Sequence, residues 1–128
     1  MIIWFTGISG TGKTTIAKFL VQKLKKKYES TYHLDGDEFR NSMKNDLGFT
    51  LKDRDLNANR IINFVKSLDK QKINVVISAN LTSKKFRFAN RKFFKNYFEV
   101  LMKVKPEILK RRDYKNIYLK RKNVVGND

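Results

Sequence analysis

The chain has 128 residues and a formal net charge of +17, from 29 lysines and arginines against 12 aspartates and glutamates. It contains no cysteine, which excludes disulfides, thiolate chemistry and cysteine-ligated zinc sites. No apolar run approaches the length of a membrane span and no secretory signal precedes the first predicted strand, so we expect one cytoplasmic domain, residues 1–128, with no membrane partner.

The amino-terminal segment predicts a strand, a phosphate-binding loop and a helix in direct succession. Residues 1–6 form a short apolar run typical of a buried parallel strand, and apolar residues recur at helical spacing over residues 16–24. Between them, residues 7–14 read Gly-Ile-Ser-Gly-Thr-Gly-Lys-Thr, which fits the phosphate-loop pattern. In such a loop the backbone N–H groups bind phosphate oxygens, Lys13 supplies a positive charge for the outer phosphates, and Thr14 offers its hydroxyl to magnesium.

Two carboxylates follow the second predicted strand. Residues 30–34 read as that strand, and Asp35 and Asp37 come directly after it, separated by a glycine. Because the carboxyl ends of parallel strands meet at one edge of a sheet, we expect both carboxylates to face the bound phosphates. There a carboxylate can hold magnesium through water or accept a proton from an attacking hydroxyl. Asp37 would also serve as the N-cap of a helix that begins at Glu38, and His33, the sole histidine, is interpreted as structural.

The middle of the chain predicts a loop followed by a long helix with polar residues along one face. Gly48 is predicted to end one helix and Thr50 to cap the next. In that next helix Arg54, Asn57 and Arg60 recur every three residues and therefore share a face. Arginines at a nucleotide cleft bind phosphate or sulfate through paired N–H donors, although the same spacing also suits ordinary surface charges.

The second half of the chain predicts two further strands separated by a basic helix. Residues 71–79 are nearly continuous in apolar and β-branched side chains, as in a buried strand, and a polar loop leads from them to a helix over residues 84–94. Alternating apolar residues over 98–103 predict the fourth strand, and a proline opens a short helix over 106–112. Four strands alternating with helices predict a three-layer α/β fold with a mostly parallel central sheet.

Several of these segments together resemble the adenylylsulfate kinase family. They are the phosphate loop, the Leu-Asp-Gly-Asp-Glu-Phe-Arg turn at residues 34–40, the segments at 46–50 and 53–57, and the run at 112–118. Kinases of this family have the P-loop fold and use ATP and magnesium to phosphorylate the ribose 3′-hydroxyl of adenosine 5′-phosphosulfate. The resemblance covers almost the whole chain, and the order and spacing of the segments are more specific than the loop alone.

The resemblance implies a role for each matching residue. The residues implied to bind ATP are Gly7, Ser9, Gly10, Thr11, Gly12, Lys13, Thr14, Thr15 and, in a lid, Arg112. Those implied to bind the acceptor nucleotide are Asp35, Asp37, Arg40, Phe49, Arg54, Asn57 and, in the same lid, Lys115. Thr14 and Asp35 are implied to serve magnesium, and Phe49 to stack on the acceptor base. The implied catalytic residues are Lys13 and Asp37, of which Asp37 orients or deprotonates the acceptor hydroxyl.

The chain departs from the family pattern in its second half. Residues 81–85 replace the family's Ile-Ser-Pro-Tyr-Arg segment, the lid is shorter, and Val124 stands where the family has a phenylalanine against the acceptor base. The family continues past Gly126 with a further strand and helix, which this chain is expected to lack. The ending at residues 123–126 is similar to a branch of kinases tied to surface-sugar synthesis, one type of which phosphorylates cytidine diphosphoramidate.

Three functions therefore stay open. They are a kinase acting on adenosine 5′-phosphosulfate, a kinase of another 5′-modified nucleotide such as cytidine diphosphoramidate, and a truncated nucleotide-binding protein without catalysis. In each case the expected partner is a small-molecule nucleotide, and homodimerisation is left open. The high positive charge favours anions, but the lysines are spread along the chain without a nucleic-acid-binding motif, so nucleic acid is not expected as the main partner.

Overall fold

Strands and helices alternate along the chain in the computed structural model, which describes residues 1–112. In order, the elements are β1 (Ile2–Thr6), α1 (Lys13–Lys27), β2 (Thr31–Asp35), α2 (Gly36–Ser42), α3 (Leu51–Lys70), β3 (Asn74–Ser78), α4 (Lys84–Phe93), β4 (Tyr97–Leu101) and α5 (Pro106–Arg111). This order confirms the predicted α/β class. None of the helices within these residues is long and apolar enough to cross a membrane.

The four strands of the described residues form one parallel sheet in the order β2-β3-β1-β4. In β1, Ile3 lies opposite Val76 of β3 on one side and Phe98 of β4 on the other. Asp35 at the end of β2 lies opposite Ser78 at the end of β3. Because all four strands run in the same direction, the loops that follow them meet at one edge of the sheet, as predicted.

Helices cover both faces of the sheet. On one face α1 buries Ala17 and Val21, one turn apart, against Phe5 and Val76. On the other face α3 packs its apolar side against the strands, in a larger core whose members include Ile2, Trp4, Leu34, Ala58, Ile61, Ile62, Val65, Leu68, Val75 and Ile77. The two cores make the three-layer architecture that was predicted from the alternation of strands and helices.

The start of α2 differs from the prediction. The helix begins at Gly36, and its N-cap is Asp35, whose Oδ2 accepts a hydrogen bond from the N–H of Glu38 at 3.2 Å. The prediction that Asp37 caps a helix starting at Glu38 was therefore wrong. Glycine is needed at position 36 because an added Cβ would lie 2.9 Å from the Cβ of Ala79. This close approach lets α2 begin immediately beyond the sheet edge.

The segment between α2 and α3 also differs. Gly48 was predicted to end a helix, but α2 ends at Ser42, and the chain reverses through Lys44 and Asn45 with φ of 57° and 51°. Thr50 is the N-cap of α3, as predicted, and its hydroxyl oxygen accepts from the N–H of Asp53 at 3.2 Å.

Candidate active site

The loop between β1 and α1 wraps the amino-terminal end of α1. Gly12, the N-cap of α1, has a φ of 89°, which glycine adopts without strain. The Lys13 ammonium donates to the carbonyl oxygens of Gly7 and Ile8 at 2.7 and 2.9 Å and so lies over the loop. The buried Thr11 hydroxyl donates to the Ile8 carbonyl at 2.9 Å and braces the loop from within. The first turn of α1 contains no acidic residue, so no carboxylate in that turn neutralises the positive end of the helix dipole.

Asp35 connects this loop to the ends of β2 and β3. Its side chain is buried, and its Oδ1 accepts from the hydroxyls of Thr14 at 2.7 Å and Ser78 at 2.9 Å. Burial by itself raises the pKa of Asp35, but the hydrogen bonds from Thr14, Ser78 and the Glu38 N–H outweigh burial and place that pKa below its ordinary value. Asp35 is therefore ionised at neutral pH, and Thr14 turns its hydroxyl hydrogen toward it.

The side-chain oxygen atoms at this end of the site suit the coordination of a magnesium ion that is bound together with nucleotide phosphates. Because the Thr14 hydroxyl donates its hydrogen bond to Asp35, the lone pairs of the Thr14 oxygen point away from that carboxylate. Within residues 1–112 there is no group of three or more histidine, aspartate or glutamate side chains that would hold a metal by itself. Magnesium in phosphoryl-transfer sites is held by one or two protein groups together with phosphates and waters, which agrees with this arrangement.

Across from the loop, an aromatic ring lies beside two arginines. The guanidinium carbons of Arg40 and Arg54 are 4.6 and 5.9 Å from the centroid of the Phe49 ring. Arg54 Nε also donates to the Phe49 carbonyl at 2.8 Å, and Arg40 donates to the Gly48 carbonyl at 3.0 Å. Phe49 is 56% exposed, so much of the ring surface is accessible to a nucleotide base. Burial places the pKa of Arg40 below its ordinary value, although an arginine keeps its charge at neutral pH.

The loop that carries Phe49 is fastened to α3 by polar contacts. Nη1 and Nη2 of Arg60 donate to the two carboxylate oxygens of Asp46, each at 2.8 Å, and the Gly48 N–H donates to Asp53 Oδ2 at 3.1 Å. Arg60 was predicted to share a helix face with Arg54 and Asn57, but its contact is with this loop and it does not line the cleft described next. The function of Arg60 that the structure supports is therefore to position the loop.

A cleft of about 180 Å³ brings the two halves of the site together. The predicted site residues on its walls are Ser9, Gly10, Gly12, Lys13, Thr14, Thr15, Asp35, Asp37, Arg40, Phe49, Arg54 and Asn57. Asp37 is exposed in the first turn of α2, whereas Asn57 is buried in α3. The loop and the arginine pair, which lie far apart in the sequence, are thus walls of the same cleft.

Three predicted site residues lie outside the cleft, and a fourth falls outside the described residues. Gly7 and Thr11 do not line the cleft but face a neighbouring cavity of about 400 Å³ next to β4. Arg112 lies beside the phosphate loop, where its Nη1 donates to the Gly10 carbonyl at 3.3 Å. Lys115 lies outside the described residues, as does Val124.

The cleft also contains residues to which the sequence alone assigned no role. They are Gly36, Asp55, Ala58, Ser78, Asn80, Thr82 and Ser83. Four of them occupy the end of β3 and the loop after it, so their position directly after a predicted buried strand was the signal that could have identified them.

Comparison with known proteins decides the family. The family model for adenylylsulphate kinase matches residues 1–126. The chain belongs to the adenylylsulphate kinase family. This confirms the resemblance predicted from the sequence and the P-loop kinase fold that it implied.

Two relatives and one solved structure illustrate the match. The adenylyl-sulfate kinase of Buchnera aphidicola is 38% identical over 120 residues, covering 92% of this chain and 58% of that protein. The cytidine diphosphoramidate kinase of Campylobacter jejuni is 37% identical over 135 residues, covering 99% of this chain and 77% of that protein. The structure of the Mycobacterium tuberculosis APS kinase CysC in complex with AMPPNP and APS has a TM-score of 0.82 and 34% identity, and covers 93% of this chain and 71% of that one.

The chain is shorter than the adenylyl-sulfate kinases that it matches. It spans 58% of the length of the Buchnera protein and 64% of the length of the enzyme from Halothermothrix orenii, to which it is 37% identical. We therefore propose, in the next section, which catalytic activity, substrates and partners of those longer proteins this chain shares.

Proposed function

We propose that this chain is a kinase that uses ATP and magnesium to phosphorylate the ribose 3′-hydroxyl of adenosine 5′-phosphosulfate. The observation that carries the proposal is the single cleft in which the phosphate loop faces Phe49, Arg40 and Arg54. The loop and Lys13 suit the phosphates of a donor, whereas an aromatic ring flanked by guanidinium groups suits a base and the anionic groups of a second nucleotide. The structural similarity to a kinase solved with AMPPNP and APS supports the same assignment.

At the donor end of the cleft, the proposal assigns the phosphates of ATP to the loop and to Lys13. Phosphoryl transfer depends on positioned positive charge, which the Lys13 ammonium, the loop N–H groups and the start of α1 supply. Thr14 would hold the magnesium ion, and Asp35 would orient Thr14 through their 2.7 Å hydrogen bond. Magnesium held there would supply positive charge that stabilises the phosphate oxygens during transfer. Arg112, beside Gly10, is assigned to the lid over ATP.

At the acceptor end, the proposal assigns the nucleotide to the walls formed by α2, α3 and the loop between them. Phe49 stacks on the base, and Arg40, Arg54 and Asn57 bind the phosphosulfate and ribose groups. Asp37 lies in the first turn of α2 and lines the same cleft, and it is assigned to orient the 3′-hydroxyl and accept its proton. The hydroxyl oxygen then attacks the terminal phosphorus of ATP, and ADP leaves.

The direct test is to incubate the purified protein with ATP labelled at its terminal phosphate, magnesium and one acceptor at a time. The acceptors are adenosine 5′-phosphosulfate, cytidine diphosphoramidate, AMP and CDP, and the Asp37→Asn variant serves as the control for transfer by a contaminating kinase. We expect the label on adenosine 5′-phosphosulfate with wild-type protein and its loss in the variant. Transfer to none of the acceptors, by a protein that still binds ATP, would contradict the proposal and favour a non-catalytic nucleotide binder.

A second candidate is a kinase of cytidine diphosphoramidate. The observation that favours it is the match to the Campylobacter jejuni cytidine diphosphoramidate kinase, which is 37% identical over 135 residues and covers 99% of this chain. The same assay distinguishes the two acceptors. Label on the cytidine compound alone would change the acceptor while leaving the assigned roles of Lys13, Thr14 and Asp37 intact.

Self-association is the remaining proposal about partners. A structure described as a hexameric APS kinase from Thiobacillus denitrificans has a TM-score of 0.68 and 26% identity, and covers 82% of this chain and 23% of that one. We propose that this chain self-associates, at least as a homodimer, which light scattering coupled to size-exclusion chromatography would detect as twice the mass of 15.1 kDa or a higher multiple of it.

A further inference from the structure

His33 is linked to the phosphate loop through two side chains, although it does not line the cleft itself. Its Nε2 lies 2.9 Å from the Ser78 hydroxyl oxygen, and that oxygen lies 2.9 Å from Oδ1 of Asp35. The Thr14 hydroxyl reaches the same Oδ1 at 2.7 Å. These four side chains, which we call the His33 chain, form a continuous series of hydrogen bonds from β2 through β3 to the start of α1.

The hydrogens of the His33 chain can be placed in one way only. Asp35 is an ionised carboxylate and can only accept, so Ser78 donates its single hydroxyl hydrogen to Oδ1. Because that hydrogen is already committed, the Ser78 oxygen must accept from His33, and His33 must carry a hydrogen on Nε2. The Nε2–H tautomer thus gives every bond in the series a defined direction toward Asp35.

We propose that His33 is a positioning residue whose Nε2–H fixes the Ser78 hydroxyl on Asp35, so that Asp35 holds the Thr14 oxygen toward a nucleotide-bound magnesium ion. The inference rests on the proposed function in assigning magnesium to Thr14. Without the Nε2–H, the Ser78 hydroxyl is released to turn away from Asp35, and Oδ1 loses one of its two hydroxyl donors. The carboxylate is then less constrained, and so is the Thr14 hydroxyl that it orients.

A matched pair of substitutions separates the hydrogen-bond donor from the shape of the side chain. His33→Gln keeps an N–H donor near the position of Nε2, whereas His33→Met has nearly the same length and volume as glutamine but no donor. If His33 acted only by filling space in β2, the two variants would behave alike. If it acts through its Nε2–H, the glutamine variant should retain wild-type properties that the methionine variant loses.

The first measurement is the binding of Mn²⁺, used as a paramagnetic substitute for Mg²⁺, to the protein with AMPPNP, followed by electron paramagnetic resonance. Partners of metal ligands typically contribute 10- to 100-fold to metal affinity. His33 acts two hydrogen bonds beyond Asp35, the partner of Thr14. We therefore expect His33→Met to weaken Mn²⁺ binding by about threefold to tenfold, while His33→Gln stays within about twofold of wild type. Equal binding by all three proteins, or equal weakening in both variants, would overturn the proposal.

The second measurement needs neither metal nor acceptor. His33 is the sole histidine, so a long-range ¹H–¹⁵N spectrum of the protein reports its tautomer without ambiguity. We expect the Nε2–H form with an exchange-protected proton, and loss of that protection in Ser78→Ala. The Nδ1–H form would overturn the proposal even if the protein is an active kinase. A further outcome separates this proposal from the proposed function. If neither adenosine 5′-phosphosulfate nor cytidine diphosphoramidate is phosphorylated, but the Nε2–H form and the difference in Mn²⁺ binding are both observed, the proposed substrate fails and the role of His33 stands.

Discussion

Replacing Asp35 by asparagine tests the hydrogen bonds that this carboxylate accepts at the centre of the site. The two side chains have nearly the same shape, so the substitution changes the hydrogen-bonding groups and little else. Asp35 accepts three hydrogen bonds, from the Thr14 and Ser78 hydroxyls and from the Glu38 N–H. An asparagine has one acceptor oxygen and one donor nitrogen. If the oxygen faces the hydroxyls, the nitrogen faces the Glu38 N–H and the N-cap of α2 is lost. If the oxygen caps α2, both hydroxyls must reverse.

Either arrangement has a calculable cost. Loss of an N-cap costs about 0.5–2 kcal/mol, and a buried polar group left without a partner costs about 1–3 kcal/mol. We expect Asp35→Asn to lower the free energy of unfolding by about 1–3 kcal/mol, which is a fall in Tm of roughly 4–12 °C for a domain of this size. Reversal of the Thr14 hydroxyl would also point its hydrogen at the magnesium position, so the magnesium concentration for half-maximal turnover should rise about 10- to 100-fold.

Asp37→Asn is the matched control, because it makes the same change two residues away at an exposed position. Its unfolding free energy should stay within about 0.5 kcal/mol of wild type, while turnover falls about 10²- to 10⁴-fold with little change in ATP affinity. Thermal unfolding and magnesium titrations of both variants make the comparison. An Asp35→Asn protein with wild-type Tm and magnesium dependence would refute the role assigned to Asp35.

Four further predictions follow from the same geometry. Lys13→Ala should reduce turnover by at least about 10²- to 10³-fold in the labelled-ATP assay; wild-type turnover would refute its catalytic role. Phe49→Ala should raise the KM of the acceptor about tenfold, because base stacking contributes about 1–3 kcal/mol. A matching rise in the KM of ATP would contradict the assignment of the ring to the acceptor. Gly36→Ala should lower the unfolding free energy by about 1–3 kcal/mol in urea titrations, since its Cβ would meet Ala79 at 2.9 Å. Because the pKa of Asp35 lies below its ordinary 3.8, the ionised form stabilises the fold at higher pH. The stability difference between wild type and Asp35→Asn should therefore be constant from pH 7 to about pH 5 and shrink as the pH falls below that ordinary value; a difference unchanged at pH 3 would contradict the assignment.

Local features of the sequence were enough to predict the order of the elements and the phosphate loop. The apolar run of β3 and the helical spacing in α1 and α3 are properties of neighbouring residues, and so is the Gly-x-x-Gly-x-Gly-Lys-Thr arrangement of the loop. The same reasoning identified Thr50 as a cap, because capping depends on a side chain and an N–H three residues apart. Family membership also followed from such local segments and their order along the chain.

The tertiary structure decided which side chains meet. The cap of α2 is Asp35, and the helix begins at Gly36, where only glycine fits against Ala79. No local pattern distinguishes this start from one at Glu38. Asp35 meets Ser78 because β2 and β3 pair in one register, although the two residues are 43 positions apart in the sequence. The same register brings His33 to Ser78 and so links it to the site. A pattern within one segment specifies which face of a strand is buried, but the register between distant strands depends on how whole elements pack, so the contacts across strands emerge only in the folded chain.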